Sequence, residues 1–212
     1  MASSLTWTLP GTWPPRTVTQ LTQPMRPAEA GLVDLDERAL VEACLSGQSA
    51  AFDVIVERHR RSVYLLCYRF VSNHEDASDL SQDVFLRAYR GLRSFRGQSS
   101  LATWLYRIGV NVCLNRVSAK KPLSESIEDR QFVDEKAESA PDRLMKDERG
   151  ARVRAAIAQL PRKQRATLVL RMYHEMSHQE IADVLGSSVG AVKANFFHAL
   201  SNLKKMLGGE VL

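Results

Sequence analysis

Two histidines and a glutamate in the second half of the chain have the spacing of a zinc hydrolase motif. Residues 174–178, HEMSH, match HExxH, in which two histidines one helical turn apart bind zinc and the glutamate acts on zinc-bound water. That chemistry requires one continuous helix through His174 and His178. Ser177, followed three residues later by Glu180, instead forms a capping-box pattern that begins a new helix between the two histidines. We therefore expect no metal site here, only surface histidines beside a turn.

The three cysteines offer no second chemical site. Cys44, Cys67 and Cys113 are widely spaced, lie among apolar residues at helical spacing, and form no CxxC or Cys/His cluster. Reduced thiols in a core are the usual state of such residues, so we expect neither a metal nor a redox role. The sequence predicts no catalytic residue, no cofactor and no enzyme.

Residues 177–205 have the pattern of two helices joined by a tight turn. Ser177 caps the first helix, and Gly186 ends it because glycine adopts the left-handed conformation at little cost. Ser187-Ser188 then offers an N-cap for a second helix. The apolar stripe of that helix contains Val189, Val192, Phe196, Ala199, Leu200 and Leu203, and the residues off the stripe include Lys193, Asn195 and His198. The pattern predicts a DNA-binding helix-turn-helix, with a helical hairpin in an all-α core as the alternative.

Charge is distributed in blocks that suit a nucleic-acid partner. The 212-residue chain has a net charge of +5. Residues 48–121 hold 12 Lys/Arg against 6 Asp/Glu, residues 151–212 hold 9 against 4, and residues 122–150 between them hold 5 against 9. Basic blocks raise both affinity for phosphate and the rate of association. The composition favours a cytoplasmic nucleic-acid binder.

Apolar residues recur at helical spacing from residue 35 onward, and no segment alternates with period two. Helices are predicted over residues 37–46, 50–70, 75–92, 101–117, 152–160 and 163–173, before the helix-turn-helix. The predicted fold is all-α: two small helical domains at 35–121 and 148–212, joined by a flexible acidic linker at 122–147 in which short helical patches are expected. Residues 1–34 are proline-rich and are expected to form a disordered tail, not a signal peptide, with Met25 a candidate start of translation. No apolar run is long enough to span a bilayer.

Three segments carry a resemblance to a known family. They are DASDLSQDVFLRAYRGLRSFRGQSSLATWLYRIGVNVCLNR, LPRKQRATLVLRMYHEMSHQEIADVLG and GAVKANFFHALSNLKKML. Together they resemble the two domains of an extracytoplasmic-function (ECF, group IV) RNA polymerase sigma factor of the sigma-70 family. The resemblance covers residues 48–121 and about 148–207. It implies a protein that binds core polymerase, recognises specific promoters and promotes DNA melting.

The resemblance assigns roles within residues 35–121, which correspond to sigma region 2. The helix around residue 83 resembles the family's docking surface for the β′ clamp helices of polymerase. Its candidate docking residues are Asp79, Gln82, Asp83 and Arg87. The loop and helix that follow resemble the segment that captures an unpaired base of the minus-ten element and lies along the opened strand. The candidate contacts there are Arg96, Gly97, Gln98, Ser99, Arg107, Asn111, Asn115 and Arg116, whereas Trp104 is expected mainly to pack in the core.

Residues 148–212 resemble sigma region 4, which binds the minus-thirty-five element in the major groove. The candidate contacts are Ser188, Gly190, Ala191, Lys193, Asn195 and His198. The chain departs from the commoner family pattern TVKSRLxRAR, because Ala191, Asn195 and His198 replace a threonine and two arginines. These departures leave the promoter sequence open but not the mode of binding.

The partners implied are core RNA polymerase, through its β′ clamp helices and β flap, promoter DNA and an anti-sigma factor; no membrane insertion is expected. Two other classes of protein compete with this interpretation. One is a helix-turn-helix regulator that binds duplex operator DNA without polymerase, and the other is a helical interaction protein. Residues 79–115 favour the sigma factor, because a plain regulator does not need them.

Overall fold

The computed structural model describes residues 31–119 and 140–208, with side chains over 31–118 and 148–208, and the regular elements in those ranges are all helical. They are α1 (Glu37–Leu45), α2 (Ser49–Val71), α3 (His74–Gly91), a 3₁₀ turn (Leu92–Ser94), α4 (Leu101–Ala119), α5 (Ala140–Gln159), α6 (Arg162–Tyr173), α7 (His178–Leu185) and α8 (Val189–Met206). The expected all-α fold is confirmed. Residues 1–30 of the predicted N-terminal tail and residues 120–139 of the predicted linker lie outside the described residues, whereas residues 31–33, predicted as the end of the disordered tail, are helical.

Local capping explains why these helices begin where they do. The Asp36 carboxylate accepts a hydrogen bond from the Ala39 amide at 2.7 Å, and the Asn73 side chain accepts one from the Asp76 amide at 2.9 Å. Each bond satisfies an amide that has no partner within its helix. Because such caps involve residues only three positions apart, they can be recognised in the sequence.

Helix α5 begins earlier than predicted. It starts at Ala140 rather than at residue 152, and so extends into the segment predicted as linker. Residues 143–149, RLMKDER, are mostly strong helix formers but do not have the apolar periodicity from which the other helices were predicted. Intrinsic propensity therefore extends this helix where amphipathicity gave no signal.

The described part of the chain divides into two compact units, with the boundary between Ile55 and Val56. In the first, Leu40 on α1 and Phe52 on α2 are fully buried. In the second, α3 packs along α4. Gly109 permits a close approach to α2, because a Cβ atom at that position would lie 2.7 Å from Cδ2 of Leu66.

The last three helices form a second cluster of contacts within residues 56–212. Helices α6, α7 and α8 contact one another in all three pairs, and α5 contacts α8. Their fully or almost fully buried apolar residues include Val169, Leu170, Ile181, Val192 and Ala199.

The two buried cysteines, Cys67 and Cys113, are free thiols on α2 and α4, and the half-buried Cys44 is a free thiol on α1. Burial is the largest contribution that raises the pKa of Cys44, to about 11.

Candidate nucleic-acid and protein interfaces

The turn between α7 and α8 has the geometry that the sequence predicts. The Ser177 hydroxyl accepts a hydrogen bond from the Glu180 amide at 3.2 Å, and the Glu180 carboxylate accepts one from the Ser177 amide at 2.8 Å. Gly186 ends α7 in the left-handed conformation, with φ of 57°. Ser188 then caps α8 by accepting a hydrogen bond from the Ala191 amide at 3.2 Å. Both predicted caps and the glycine stop are confirmed.

The same geometry separates the residues of the HExxH match. His174 is the C-cap of α6, Glu175 has a φ of 53°, and His178 is the first residue of α7. The two histidines therefore do not share a helix. Both flank a turn, as expected, but they are not simple surface residues: His174 lies with its ring 4.5 Å from that of Tyr106, and the His178 ring is 6.0 Å from that of Phe196. Aromatic packing, rather than metal binding, accounts for their positions.

The exposed face of α8 contains most of the predicted minus-thirty-five contacts. Ser188, Gly190, Ala191, Lys193 and His198 are exposed, whereas Asn195 is half-buried. This face also contains a residue that the sequence analysis missed, Phe197, whose exposed fraction is 69%. The sequence pattern could have indicated this exposure, because the predicted apolar stripe contains Phe196 but not Phe197.

Helix α3 brings the predicted docking residues to one face. Asp79, Gln82 and Arg87 are exposed and Asp83 is half-buried, at helical spacings of three and four. The Arg87 Nε atom lies 3.0 Å from both Asp83 carboxylate oxygens, and hydrogen bonding to that carboxylate raises the Arg87 pKa above its usual value. The Asp83–Arg87 pair is therefore aligned before any partner binds. We call Asp79, Gln82, Asp83 and Arg87 the docking strip.

The loop before α4 exposes three of its predicted contacts. Arg96, Gly97 and Gln98 are exposed and Ser99 is half-buried. Gly97 has a φ of +67°, a conformation that other residues rarely adopt. Trp104 is half-buried, with its ring 5.4 Å from that of Phe95. This contact agrees with the packing role expected for Trp104, and it ties the loop to α4.

Helix α4 has a polar strip on its surface, and two residues of this strip form hydrogen bonds within the chain. Arg107, Asn111 and Asn115 are exposed at intervals of four residues, and Arg116 lies beside them. We call these four residues the α4 strip. The Arg116 guanidinium donates to the Asp76 carboxylate at 2.9 Å. The Arg107 guanidinium donates to the main-chain carbonyl of Asp183 on α7 at 2.7 Å.

Arginines from both sides join the α2–α4 region to the helix-turn-helix. Arg107 contacts a carbonyl in the last turn of α7, and Arg165 on α6 donates to the Phe70 carbonyl in the last turn of α2 at 3.3 Å. Cations are favourable at helix C-termini, where carbonyl groups lack helical partners. Arg165 is buried, which lowers its pKa, and the Arg69 guanidinium stacks 4.0 Å from the Tyr173 ring centre. We call the arrangement in which α4 contacts α7 the closed arrangement. In it the Arg107 guanidinium is hydrogen-bonded within the chain.

The half-buried His174 makes the stability of the fold sensitive to pH. Burial, with a further contribution from the charge of Arg69, lowers the pKa of His174 to about 4. The pKa of a histidine in an unfolded chain is about 6.5. The unfolded chain therefore binds more protons between these values. The contribution of neutral His174 is fully present above about pH 6.5 and is lost as the pH falls toward about 4.

We expect the melting temperature of the protein to fall between pH 7 and pH 5, and to fall less in His174→Phe, which cannot bind a proton there. Calorimetry across this pH range measures the difference. His198→Phe, at an exposed position on α8, is the control and should keep the wild-type slope. Equal pH slopes for wild type and His174→Phe would show that His174 does not control this dependence.

Comparison with known proteins identifies the family of the chain. Family models described as sigma-70 region 2 and sigma-70 region 4 match residues 55–122 and 150–203. The chain is 34% identical over 185 residues to the RNA polymerase sigma-H factor of Pseudomonas aeruginosa, covering 83% of this chain and 96% of the relative. It is 36% identical over 174 residues to the ECF RNA polymerase sigma-E factor of Escherichia coli K12, covering 78% of this chain and 91% of the relative.

Solved structures with a similar fold are also found. CnrH, in complex with the cytosolic domain of CnrY, matches with a TM-score of 0.61 at 28% identity, over 82% of this chain and 99% of CnrH. The sigma factor RpoE of Bartonella quintana matches with a TM-score of 0.58 at 20% identity, over 76% of this chain and 98% of RpoE, which supports the fold. Within the described ranges, no helix is long and apolar enough to cross a membrane. The chain belongs to the ECF group of the sigma-70 family, and it acts as an RNA polymerase sigma factor.

Proposed function

We propose that the docking strip binds the β′ clamp helices of core polymerase. The supporting observation is that the exposed Asp79 and the half-buried Asp83 share one face of α3, within residues 48–121, where 12 Lys/Arg outnumber 6 Asp/Glu. Carboxylates repel DNA phosphates, so this face suits a protein partner rather than DNA. Other exposed surfaces within residues 35–121 are then free to contact promoter DNA.

In the proposed complex the loop at residues 96–99 and the α4 strip bind the minus-ten element as single strand. Unstacking a base costs a few kcal/mol, and hydrogen bonds to the extruded base offset that cost. Gly97 supports this role because its backbone has no side chain to block a nucleotide. Arg107 and Arg116 supply charge for phosphate once they leave their internal partners, Asp183 and Asp76.

The N-terminal half of α8 is proposed to enter the major groove of the minus-thirty-five element. Main-chain amides at the start of a helix and the helix dipole favour phosphate, and Lys193 adds a positive charge on the exposed face. The two promoter elements are centred roughly 85 Å apart at 3.4 Å per base pair. Contact between α4 and α7 is incompatible with that separation, so promoter binding requires the closed arrangement to open.

We expect the free protein to be held by an anti-sigma partner and to act in the cytoplasm without catalysing a covalent step. CnrH, a similar protein, occurs in complex with the cytosolic domain of CnrY. A protein that holds the closed arrangement would keep Arg107 on the Asp183 carbonyl and away from DNA.

Run-off transcription tests the proposal. Core polymerase lacking sigma is supplied with this protein and a pool of genomic promoter fragments, including the region upstream of its own gene. Discrete transcripts that depend on the protein are expected, and they identify its promoters. If the protein shifted duplex fragments in a gel but never directed initiation, the roles proposed for α3 and α4 would be wrong.

A further inference from the structure

Phe197 is the most exposed large apolar side chain among the described residues. Its exposed fraction is 69%, and the next highest is 55%, at Met172. Its neighbour Phe196 is half-buried, in edge contact with His178 at 6.0 Å. One phenylalanine therefore packs toward the helix-turn-helix core while the next projects outward. Because the core accounts for Phe196 only, the exposure of Phe197 requires a different explanation.

The surroundings of Phe197 suit the edges of base pairs. Lys193 and Ala194 lie one turn before it on the exposed face, and Gly190 lies two turns before it, with no atom within 4 Å of a Cβ placed there. Small residues allow a helix to lie close to a partner. The Phe197 Cα is about 12 Å along the axis from Val189, which is still within the part of a helix that fits a major groove. The Lys193 charge beside it favours a polyanion over an apolar protein surface.

Only one base edge in the major groove is apolar. Thymine presents a 5-methyl group there, and apolar side chains contact it, whereas the other exposed edge groups are hydrogen-bond donors and acceptors. We propose that Phe197 is a specificity-determining residue, whose ring packs against a thymine methyl group in the minus-thirty-five element. This inference rests on the proposed binding of α8 to that element. It means that this helix, which lacks two arginines of the common pattern, uses apolar contact for part of its selectivity.

A deoxyuridine scan isolates the methyl group. A promoter fragment recovered by run-off transcription is prepared with each upstream thymine replaced singly by deoxyuridine, which lacks only the 5-methyl group. The affinity of the reconstituted holoenzyme for each duplex is then measured by competition. At one or two positions we expect affinity to fall about fourfold, the effect of returning one methyl group to water.

The Phe197→Ala variant connects that loss to the ring. The holoenzyme carrying Phe197→Ala should bind the unmodified promoter about tenfold more weakly, and deoxyuridine at the sensitive positions should lower its affinity no further. Phe197→Leu, which stays apolar, should keep part of both effects. Lys193→Ala is the matched control on the same face: its affinity should fall, but it should keep the wild-type sensitivity to deoxyuridine.

Three results would overturn the inference. Equal deoxyuridine sensitivity in wild type and Phe197→Ala would separate the ring from the methyl group. Normal promoter affinity with weakened binding of core polymerase would place Phe197 in a protein interface. A wild-type holoenzyme that binds no promoter fragment would remove the proposed function itself, an outcome distinct from the first two. Circular dichroism should show the same melting curve for Phe197→Ala as for wild type, since the side chain is exposed.

Discussion

The triple variant Asp79→Ala, Gln82→Ala, Asp83→Ala should bind core polymerase at least about 30-fold more weakly, a loss of about 2 kcal/mol, which is typical of removing a strong interface contact. Run-off transcription at limiting sigma should fall in proportion. The fold should persist, because these side chains are exposed or half-buried and α3 keeps its buried face. Loss of the Asp83–Arg87 pair should itself cost less than about 1 kcal/mol of stability, since that pair is open to solvent.

The matched control is Glu57→Ala on α2, which removes another exposed carboxylate and its ion pair with Arg60 at 2.9 Å. This control should bind core polymerase like wild type. Binding is best measured by competition against a labelled wild-type sigma factor, because that assay separates docking from promoter contact. A triple variant that competes as well as wild type would remove the docking strip from the proposed interface.

Gly109→Val should strongly destabilise the protein, with a loss of about 2–3 kcal/mol in the free energy of unfolding. A Cβ at residue 109 would lie 2.7 Å from Cδ2 of Leu66 and 3.7 Å from Cγ2 of Val84. Both neighbours are completely buried, so neither can move aside without disturbing the core. The modest gain in helix propensity over glycine does not offset this overlap.

Gly190→Ala provides the comparison, since Gly190 is also helical but has open space where a Cβ atom would be added. Urea unfolding should show Gly190→Ala as stable as wild type or slightly more so. Gly109→Val should also lose transcription, because displacement of α4 moves the α4 strip away from the docking strip. Similar unfolding midpoints for the two variants would mean that α2 and α4 are not as closely packed as the geometry indicates.

The helix-turn-helix could be predicted because its signals are local. Ser177, Gly186 and Ser188 mark helix ends through hydrogen bonds or backbone conformations that involve only a few neighbouring residues. The roles predicted for the docking strip and the α4 strip come from the family resemblance, and helical spacing adds that residues off the buried stripes are exposed. Helix α5 was predicted too short, because its first residues form a helix by propensity and lack an apolar stripe.

The sequence by itself therefore determined most of the helices, the caps of the helix-turn-helix, the family and the polar faces, since each depends on residue type at short spacing. Only the tertiary structure decided which of those polar side chains form hydrogen bonds to distant parts of the same chain. Arg107 bonds to Asp183, and Arg165 bonds to Phe70, across separations of 76 and 95 residues. Tertiary packing likewise places the half-buried His174 against Tyr106 while leaving Phe197 exposed. Such contacts depend on how helices distant in the chain pack together, and no local pattern encodes that packing.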